Sequence, residues 1–197
     1  MKYVVGIDEV GRGSLAGPVA IAVVAVPRGF KINNKKLGPL KDSKRLTPKK
    51  REGWLEYVAE NKNISYKLAK IYPKTIDRIN ISRSANLAAR RAFLRLADEH
   101  HLKKNNCQIY LDGGLFLGNK GNPKNAKTVV RGDKKYLSIK LASIIAKVNR
   151  DRLMSRLSKK YPDYSFDIHK GYGTKAHFAV IKKLGPSEIH RLTFIGK

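Results

Sequence analysis

Residues 3–13 read YVVGIDEVGRG, an apolar run followed by two neighbouring carboxylates and a Gly-Arg-Gly turn. The β-branched and aromatic residues of the run predict a buried strand that ends at Asp8 and Glu9. Neighbouring strand residues point to opposite faces, so both carboxylates would face one cleft only if a bulge or turn forms at Glu9. Two negative charges this close favour a bound divalent cation, and Mg²⁺ and Mn²⁺ are the ions that prefer oxygen ligands. An Asp-Glu pair alone is more often solvated, but the flanking glycines favour a metal site that acts on a nucleic-acid backbone.

Two further acids follow predicted strands later in the chain. Asp112 comes after the strand-like residues 108–111, and Asp133 comes after the strand-like residues 128–130. The acids expected at one edge of the sheet are Asp8, Glu9, Asp112 and Asp133. Four convergent carboxylates can hold two divalent ions about 4 Å apart, one activating water and one stabilising the leaving oxygen of a phosphodiester. The pattern therefore predicts hydrolysis of a nucleic-acid strand.

The charge of the chain points to the same class of partner. Forty-two Lys and Arg stand against 15 Asp and Glu, which gives a formal net charge of +27 at pH 7. A generally cationic proteome or a thermophilic surface rich in ion pairs would be alternatives, but there are too few acids for extensive pairing. An anionic membrane surface is not favoured either, because no long basic amphipathic helix stands out. We expect nucleic acid as the partner and no membrane association.

Length and composition predict one soluble domain. The 197 residues suit a single core. The apolar fraction of 42% is a little below the ordinary globular level, but no low-complexity tract appears, so we expect the chain to fold. Cys107 is the only cysteine, which excludes an internal disulfide and a cysteine-based zinc site. No signal-peptide core precedes Asp8, and the apolar run at 16–26 is too short to cross a bilayer. We expect a cytoplasmic protein.

Strands and helices alternate along the predicted chain, which indicates a layered α/β domain. The continuous apolar run at 19–26 predicts a strand that is buried on both faces, so helices must cover both sides of the sheet. Further predicted elements are a helix that opens at Thr47-Pro48, a strand at 64–71, a helix at 75–101 with a break near 81–84, a loop at 118–127, a helix at 138–160, and a last helix from Thr174 to Gly185.

Short motifs follow one another in order along nearly the whole chain. They are GIDEVGRG at 6–13, LAGPV at 15–19, DSK at 42–44, LDG at 111–113, ASIIAKV at 142–148, HKGYGT at 169–174 and HR at 190–191. Together they resemble the type 2 ribonucleases H, and closely the bacterial ribonuclease HII family. The resemblance implies an RNase H-like fold with a central mixed sheet flanked by helices. It also implies one catalytic domain over residues 1–197, with a helical segment from about residue 150 that completes the substrate cleft.

The resemblance further implies an activity and its cofactors. Such an enzyme hydrolyses the RNA strand of RNA/DNA hybrids and incises duplex DNA on the 5′ side of single ribonucleotides, leaving a 3′-hydroxyl and a 5′-phosphate. It acts as a monomer and uses two divalent ions, Mg²⁺ or Mn²⁺. The residues that match the family's catalytic metal-binding quartet are Asp8, Glu9, Asp112 and Asp133.

Other matched positions concern the substrate. Gly11, Arg12 and Gly13 match the family's ribonucleotide-sensing loop, where glycine allows the backbone to approach the 2′-hydroxyl that distinguishes RNA from DNA. Tyr172 matches the tyrosine that stacks on the sugar beside the scissile junction, although a single tyrosine there would otherwise be read as a surface residue. A ring packed on a deoxyribose would clash with an added hydroxyl, which gives a physical basis for junction choice.

Three basic residues are candidates for phosphate contacts. Lys44 lies in a predicted basic loop, and Lys147 and Arg150 lie one turn apart on the predicted outward face of a helix. For each of them a solvated surface position is an equally good interpretation. His169 and His177 are expected to be core or capping residues without a chemical role.

Two alternative functions remain at this point. A type HIII ribonuclease H shares the early Asp-Glu and Gly-Arg-Gly but carries an additional amino-terminal domain, for which a strand beginning at residue 3 leaves no room. A non-catalytic basic RNA-binding protein would account for the charge of +27 equally well. It would not account for acids at strand ends in a chain that is otherwise short of acids.

Overall fold

A computed structural model of the chain describes residues 2–40, 42–102, 106–118 and 121–196. Its centre is a five-stranded sheet with the strand order β3-β2-β1-β4-β5. The strands are β1 Tyr3–Val10, β2 Val19–Pro27, β3 Ser65–Ile71, β4 Cys107–Asp112 and β5 Ala126–Val129. The pairs β1–β2 and β2–β3 are antiparallel, whereas β1–β4 and β4–β5 are parallel. The sheet is therefore mixed, as predicted.

Helices cover both faces of the sheet. They are α1 Pro48–Glu60, α2 Pro73–Ile79, α3 Ile81–Glu99, α4 Gly132–Lys135, α5 Leu137–Lys160, α6 Phe166–His169, α7 Lys175–Leu184 and α8 Leu192–Ile195. Thr47 caps α1 as predicted, and its Oγ1 accepts from the backbone N–H of Lys50 at 3.3 Å. Across the described ranges, none of these helices has both the length and the apolar character needed to cross a bilayer.

Two features of the helices refine or correct the predicted elements. The predicted break in the helix at 75–101 occurs at Asn80, whose φ of 66° separates α2 from α3 and whose side chain caps α3. The helix capped by Thr174 is not the last one, because α8 follows it. That short helix contains only four residues, too few to produce a periodic pattern.

The central strand β1 lies between two apolar layers. On one face Val5 and Ile7 join a buried cluster that includes alanines of α3. On the other face α5 packs directly on Gly6, where an added Cβ would lie 2.2 Å from the backbone N of Ile139. This close approach brings the first half of α5 over the carboxyl end of β1.

A smaller apolar cluster forms beside the sheet from the helical part of the chain. Its buried members are Leu15, Ala16, Met154, Tyr164, Phe166 and Ile181. The long helix α5 contributes to two apolar clusters. Its buried apolar residues from Leu141 to Val148 join the cluster on the second face of the sheet, and Met154 packs in the smaller cluster. One continuous helix therefore links the two parts, and the residues 11–18 that follow β1 lie between them.

Candidate active site

A cavity of about 270 Å³ opens at the carboxyl ends of β1 and β4. Its lining residues are Asp8, Glu9, Val10, Ser43, Lys44, Asp112, Asp133, Ser143, Lys147 and Tyr172. The structure thus brings together residues that are up to 164 positions apart in the sequence, among them the four predicted acids and three predicted substrate residues.

Parallel strand pairing places two of the acids side by side. Ile7 pairs with Leu111 across β1 and β4, so the next residues along the two strands are Asp8 and Asp112. The backbone N–H of Gly132 at the start of α4 donates to Asp112 Oδ1 at 2.6 Å. This contact holds α4 against the end of β4 and brings Asp133, the next residue of α4, to the cavity.

Glu9 reaches the cavity without a bulge in β1. The antiparallel register with β2 continues unbroken through Glu9 to Val10. Asp8 points toward α5, where Ser143 hydrogen-bonds to its side chain, and Glu9 points to the opposite face. Because the cavity lies at the edge of the sheet, side chains from both faces can line it. The backbone N–H of Glu9 donates to Asp8 Oδ1 at 2.7 Å and fixes the Asp8 carboxylate.

The acids of the cavity are buried and lie close to one another. Burial raises the pKa of Asp8 well above its usual range, and the charges of Glu9 and Asp112 add to this effect. Burial also raises the pKa of Glu9 to about 6, although Arg12 Nη1 lies 3.7 Å from Glu9 Oε1 and acts in the opposite direction. The other oxygen, Glu9 Oε2, is buried and accepts no hydrogen bond from the residues that the structure describes.

The donor set fits a hard divalent cation. The buried oxygen Glu9 Oε2 accepts no hydrogen bond from the described residues, and the carboxyl groups of Asp8 and Asp112 beside it have raised pKa values. A hard divalent cation bound between these groups would stabilise their negative charges. In the part of the chain that the structure describes, no three His, Cys, Asp or Glu side chains form a complete metal-binding group. The four-carboxylate centre therefore stays a prediction.

The Gly-Arg-Gly loop lies directly beside the cavity but does not line it. Gly11 has a φ of +82°, which turns the chain out of β1. Arg12 spans from the cavity to α3, because its Nη2 donates to Ser82 Oγ at 2.8 Å while Nη1 faces Glu9. Ser14 forms an isolated antiparallel bridge with Tyr172, so the loop and the tyrosine are direct neighbours.

One predicted phosphate contact is wrong. Arg150 does not face outward but is fully buried, and its guanidinium donates to the carbonyl oxygens of Pro18, Lys170 and Ala16 at 2.9, 2.8 and 3.0 Å. Ala146 and Met154, four residues before and after it, are buried on the same face of α5. That spacing was the signal in the sequence for an inward arginine.

A larger groove continues from the acidic cavity and shares Lys147 with it. Its volume is about 880 Å³, and it lies between the start of α1 and the second half of α5. Its cationic residues are Arg51, Lys147, Arg152, Arg156, Lys159 and Lys170, and its acids are Glu52 and Asp151. Arg152 pairs with Glu52, and Lys147 pairs with Asp151 at 2.8 Å, which leaves a net positive lining. The groove fits a polyanion next to the acids.

Histidines support Tyr172 from the side of the smaller apolar cluster. His177 Nδ1 lies 2.9 Å from the carbonyl oxygen of Tyr172, and His177 Nε2 lies 3.0 Å from His190 Nε2. The rings of His169 and His177 are stacked at 4.1 Å. His177 and His190 are almost fully buried, which agrees with the predicted core role of His177.

Comparisons with known proteins agree on one family. The family model described as Ribonuclease HII matches residues 5–197. The chain is 42% identical over 194 residues to the ribonuclease HII of Caldicellulosiruptor bescii, covering 98% of this chain and 87% of that protein. It is 43% identical over 197 residues to the ribonuclease HII of Fusobacterium nucleatum, covering 100% and 87%. Among solved structures it is similar to the ribonuclease H2 of Pyrococcus horikoshii, with a TM-score of 0.75 and 27% identity over 98% of this chain and 95% of that one. The predicted RNase H-like fold is confirmed.

Proposed function

This chain belongs to the ribonuclease HII family of nucleases that hydrolyse RNA in RNA/DNA hybrids, and from that premise we propose that it also incises duplex DNA on the 5′ side of single embedded ribonucleotides. The observation that carries the proposal is the acidic cavity, in which Asp8, Glu9, Asp112 and Asp133 lie at one end of a basic groove. Acids would repel a phosphodiester unless a cation accompanied it, so this combination favours hydrolysis over binding alone.

We propose that the four acids hold Mg²⁺ or Mn²⁺, with two ions per site. The orphan oxygen of Glu9 and the repulsion among Asp8, Glu9 and Asp112 support this assignment. When bound, such ions activate a water molecule and stabilise charge on the leaving oxygen of a phosphodiester. The protein holds the donor atoms in place through rigid elements, since Asp8 lies in β1 and Asp112 is fixed by the N–H of Gly132.

The cations of the site are assigned to the substrate backbone. Lys44 lies in the cavity and acts electrostatically on Asp112, so it stands where the scissile phosphate would enter. Lys147 lies at the junction of cavity and groove, and Arg156, Lys159 and Lys170 continue the positive lining for phosphates farther along the strand. Arg150 does not belong to this set, because its guanidinium is buried and donates to backbone carbonyl oxygens.

Recognition of the ribonucleotide is assigned to the loop and the tyrosine. Gly11, Arg12 and Gly13 offer backbone groups to the 2′-hydroxyl, which can both donate and accept a hydrogen bond. Tyr172 is 36% exposed and lines the cavity, so its ring can pack on the sugar that follows the ribonucleotide. Attack of water from the far side of the phosphorus expels the 3′ oxygen and leaves a 3′-hydroxyl and a 5′-phosphate.

The test is cleavage of a DNA duplex that contains one ribonucleotide, compared with the same duplex without it. We expect a single cut on the 5′ side of the ribonucleotide, loss of the cut with EDTA, and recovery with Mg²⁺ or Mn²⁺. End-labelled products would identify the 3′-hydroxyl and 5′-phosphate. Binding without cleavage at any metal concentration would support the basic RNA-binding alternative, and equal cutting of the all-DNA duplex would contradict the proposal.

A further inference from the structure

Two arginines lie fully buried directly behind the Gly-Arg-Gly loop. Arg150 and Arg191 are both 0% exposed, and their guanidinium groups donate to backbone carbonyl oxygens. Arg191 donates to Gly11 at 2.7 Å, to Arg12 at 2.9 Å and to Gly17 at 2.9 and 3.0 Å. Burying two cations against neutral dipoles is costly, so the arrangement calls for a functional reason.

These bonds orient the amide groups of the loop. In a planar trans peptide the C=O and the N–H point in opposite directions. The carbonyl of Gly11 shares a peptide with the N–H of Arg12, and the carbonyl of Arg12 shares one with the N–H of Gly13. Because Arg191 binds both carbonyls, the N–H groups of Arg12 and Gly13 point away from it, out of the protein interior.

The loop and the arginines fit each other closely. A Cβ at Gly11 would lie 2.1 Å from Arg150 Nε, and a Cβ at Gly17 would lie 2.4 Å from Met154 Sδ. Both glycines also have a φ near +80°, which other residues rarely adopt. A loop with side chains at these positions could not rest on Arg150 and Arg191 in the same way.

Arg150 connects this loop to the segment that carries Tyr172. Its Nη1 donates to the carbonyl of Lys170 at 2.8 Å, while Nη2 donates to that of Ala16 at 3.0 Å. Its guanidinium also lies 5.5 Å from the centre of the Tyr172 ring. One side chain thus sets the spacing between the loop and the ring.

Both side chains keep their charge at neutral pH. Burial, with a contribution from Arg150, lowers the pKa of Arg191 to about 9, which still leaves it protonated at pH 7. Two positive charges behind the loop make its outward amides stronger hydrogen-bond donors.

We propose that Arg191, together with Arg150, is a positioning residue that turns the amides of Arg12 and Gly13 toward the 2′-hydroxyl oxygen of the substrate ribonucleotide. Neither arginine touches the substrate in this proposal. It rests on the proposed function, because it explains how that function's sensing loop is held.

The test is the preference for a ribonucleotide in binding, measured with Ca²⁺ in place of Mg²⁺ or Mn²⁺ so that a cation accompanies the phosphodiester, with the duplex checked for cleavage after each measurement. The preference is the Kd for an all-DNA duplex divided by the Kd for the same duplex with one ribonucleotide. An unfolded fraction raises both apparent Kd values by the same factor, so this ratio does not depend on it. Variants are Arg191→Gln, which removes the charge, and Arg191→Lys, which keeps the charge but loses the planar fork. Arg95→Gln on the exposed side of α3 is the matched control.

We expect Arg191→Gln to lower the preference about tenfold, because the loop amides would lose their hydrogen bond to the 2′-hydroxyl oxygen. Arg191→Lys should lie between it and the parent, and Arg95→Gln should equal the parent. An unchanged preference in Arg191→Gln and Arg191→Lys would overturn the inference, and if Arg191→Gln does not fold, Arg191→Lys decides alone.

A second measurement separates this inference from the proposed function. The N–H groups of Leu15, Ala16 and Gly17 donate to the carbonyls of Gly171 and Ile189, so they report the order of the loop by hydrogen exchange. In Arg191→Lys we expect their exchange to be at least about tenfold faster than in Arg95→Gln, a local opening that leaves the sheet protected. Equal exchange would overturn the inference even if the parent cleaves as proposed. A parent that shows no ribonucleotide preference overturns the sensing role and, with it, the purpose assigned to Arg191.

Discussion

At the scale of single residues, the acids of the cavity repel one another in the absence of a cation. Asp8→Asn keeps the shape of the side chain but removes one buried negative charge from beside Glu9 and Asp112. We expect turnover to fall on the order of 10²-fold or more. In EDTA the Tm should rise by about 2–4 °C, the shift that ~1 kcal/mol produces in a chain of this size. Cleavage assays and thermal unfolding of the same preparation measure both effects.

The control for that substitution is Asp98→Asn on the exposed side of α3. It removes the same formal charge far from the cavity and should change neither turnover nor Tm. Glu9→Gln and Asp112→Asn should follow Asp8→Asn in losing turnover. Near-normal activity of any of the three at low metal concentration would remove that acid from the proposed metal site.

The residues of the site differ in how far their positions follow from the sequence. Asp8 and Asp112 each end an apolar run, and strand pairing brings such ends together, so their meeting was predictable. The prediction that Arg150 faces solvent is wrong, because a charged residue that usually lies on the outer face of a helix is here buried among backbone carbonyls. The contacts of Arg191 could not be predicted from the sequence, because its partners Gly11 and Arg12 lie 180 and 179 positions away. Nothing local in the sequence indicates such a contact.

At the scale of secondary structure elements, the crossing of α5 over β1 depends on Gly6. A Cβ there would lie 2.2 Å from backbone atoms of Ser138 and Ile139, which cannot move without shifting the helix. We expect Gly6→Ala to lower the free energy of unfolding by about 3 kcal/mol or more, as overpacking against backbone does. Urea denaturation measures this change.

Gly114→Ala is the matched control, because an added Cβ there meets no atom of the described residues within 4 Å. It should change the free energy of unfolding by less than about 1 kcal/mol. If Gly6→Ala were equally mild, the close contact of α5 with β1 would not exist in solution.

The histidines behind Tyr172 make the helical part sensitive to acid. The N–H of Ser187 donates to His190 Nδ1 at 2.9 Å, so His190 is neutral in the folded protein. Burial, with a contribution from His177, lowers the pKa of His190 to about 4. An unfolded histidine has a pKa near 6.5, so between pH 6.5 and 4 the unfolded chain binds a proton that the folded chain does not. The free energy of unfolding should therefore fall by about 2–3 kcal/mol as the pH decreases through this window.

Urea denaturation at pH 7.5, 6 and 4.5 tests this dependence in the parent and in two variants. His190→Gln cannot titrate and should show a flatter pH dependence. His101→Asn changes an exposed histidine and should follow the parent. The same pH dependence in His190→Gln and in the parent would exclude His190 as the source.

Elements with strong local signals were predictable, and others were not. The Thr47 and Thr174 caps and the break before α3 follow from local sequence. The short helix α8 is held by Asp77 of α2, whose carboxylate accepts from the N–H groups of Leu192 and Thr193 at 3.0 and 3.1 Å. A helix that depends on a carboxylate more than 100 residues away has no local signature.

At the scale of the whole molecule, a net charge of +27 should dominate duplex affinity through release of counterions. We expect the Kd to weaken by about 10³-fold between 50 and 200 mM salt, whereas the preference for a ribonucleotide should persist. Arg156→Gln removes an exposed cation of the groove and should reduce the slope of log Kd against log salt by about 0.9.

Arg95→Gln again serves as the control, since it removes one charge from outside the groove. Its slope should equal that of the parent. If both variants changed the slope equally, the duplex would respond to overall charge and not to this groove. The sequence predicted a polyanion from the charge excess, but the position of the groove depends on how α1 and α5 pack.

The hydrogen bonds between Arg191 and the Gly-Arg-Gly loop have a consequence for the order of folding. Gly11 leaves the ribosome early, and Arg191 follows 180 residues later. Contacts across such separations close slowly, because the loop between them must first lose its conformational entropy. The sheet and its acids can therefore assemble on the nascent chain before the loop acquires its support. Selectivity for ribonucleotides would then be the last property to mature, and a refolding experiment should recover duplex binding before it recovers that selectivity.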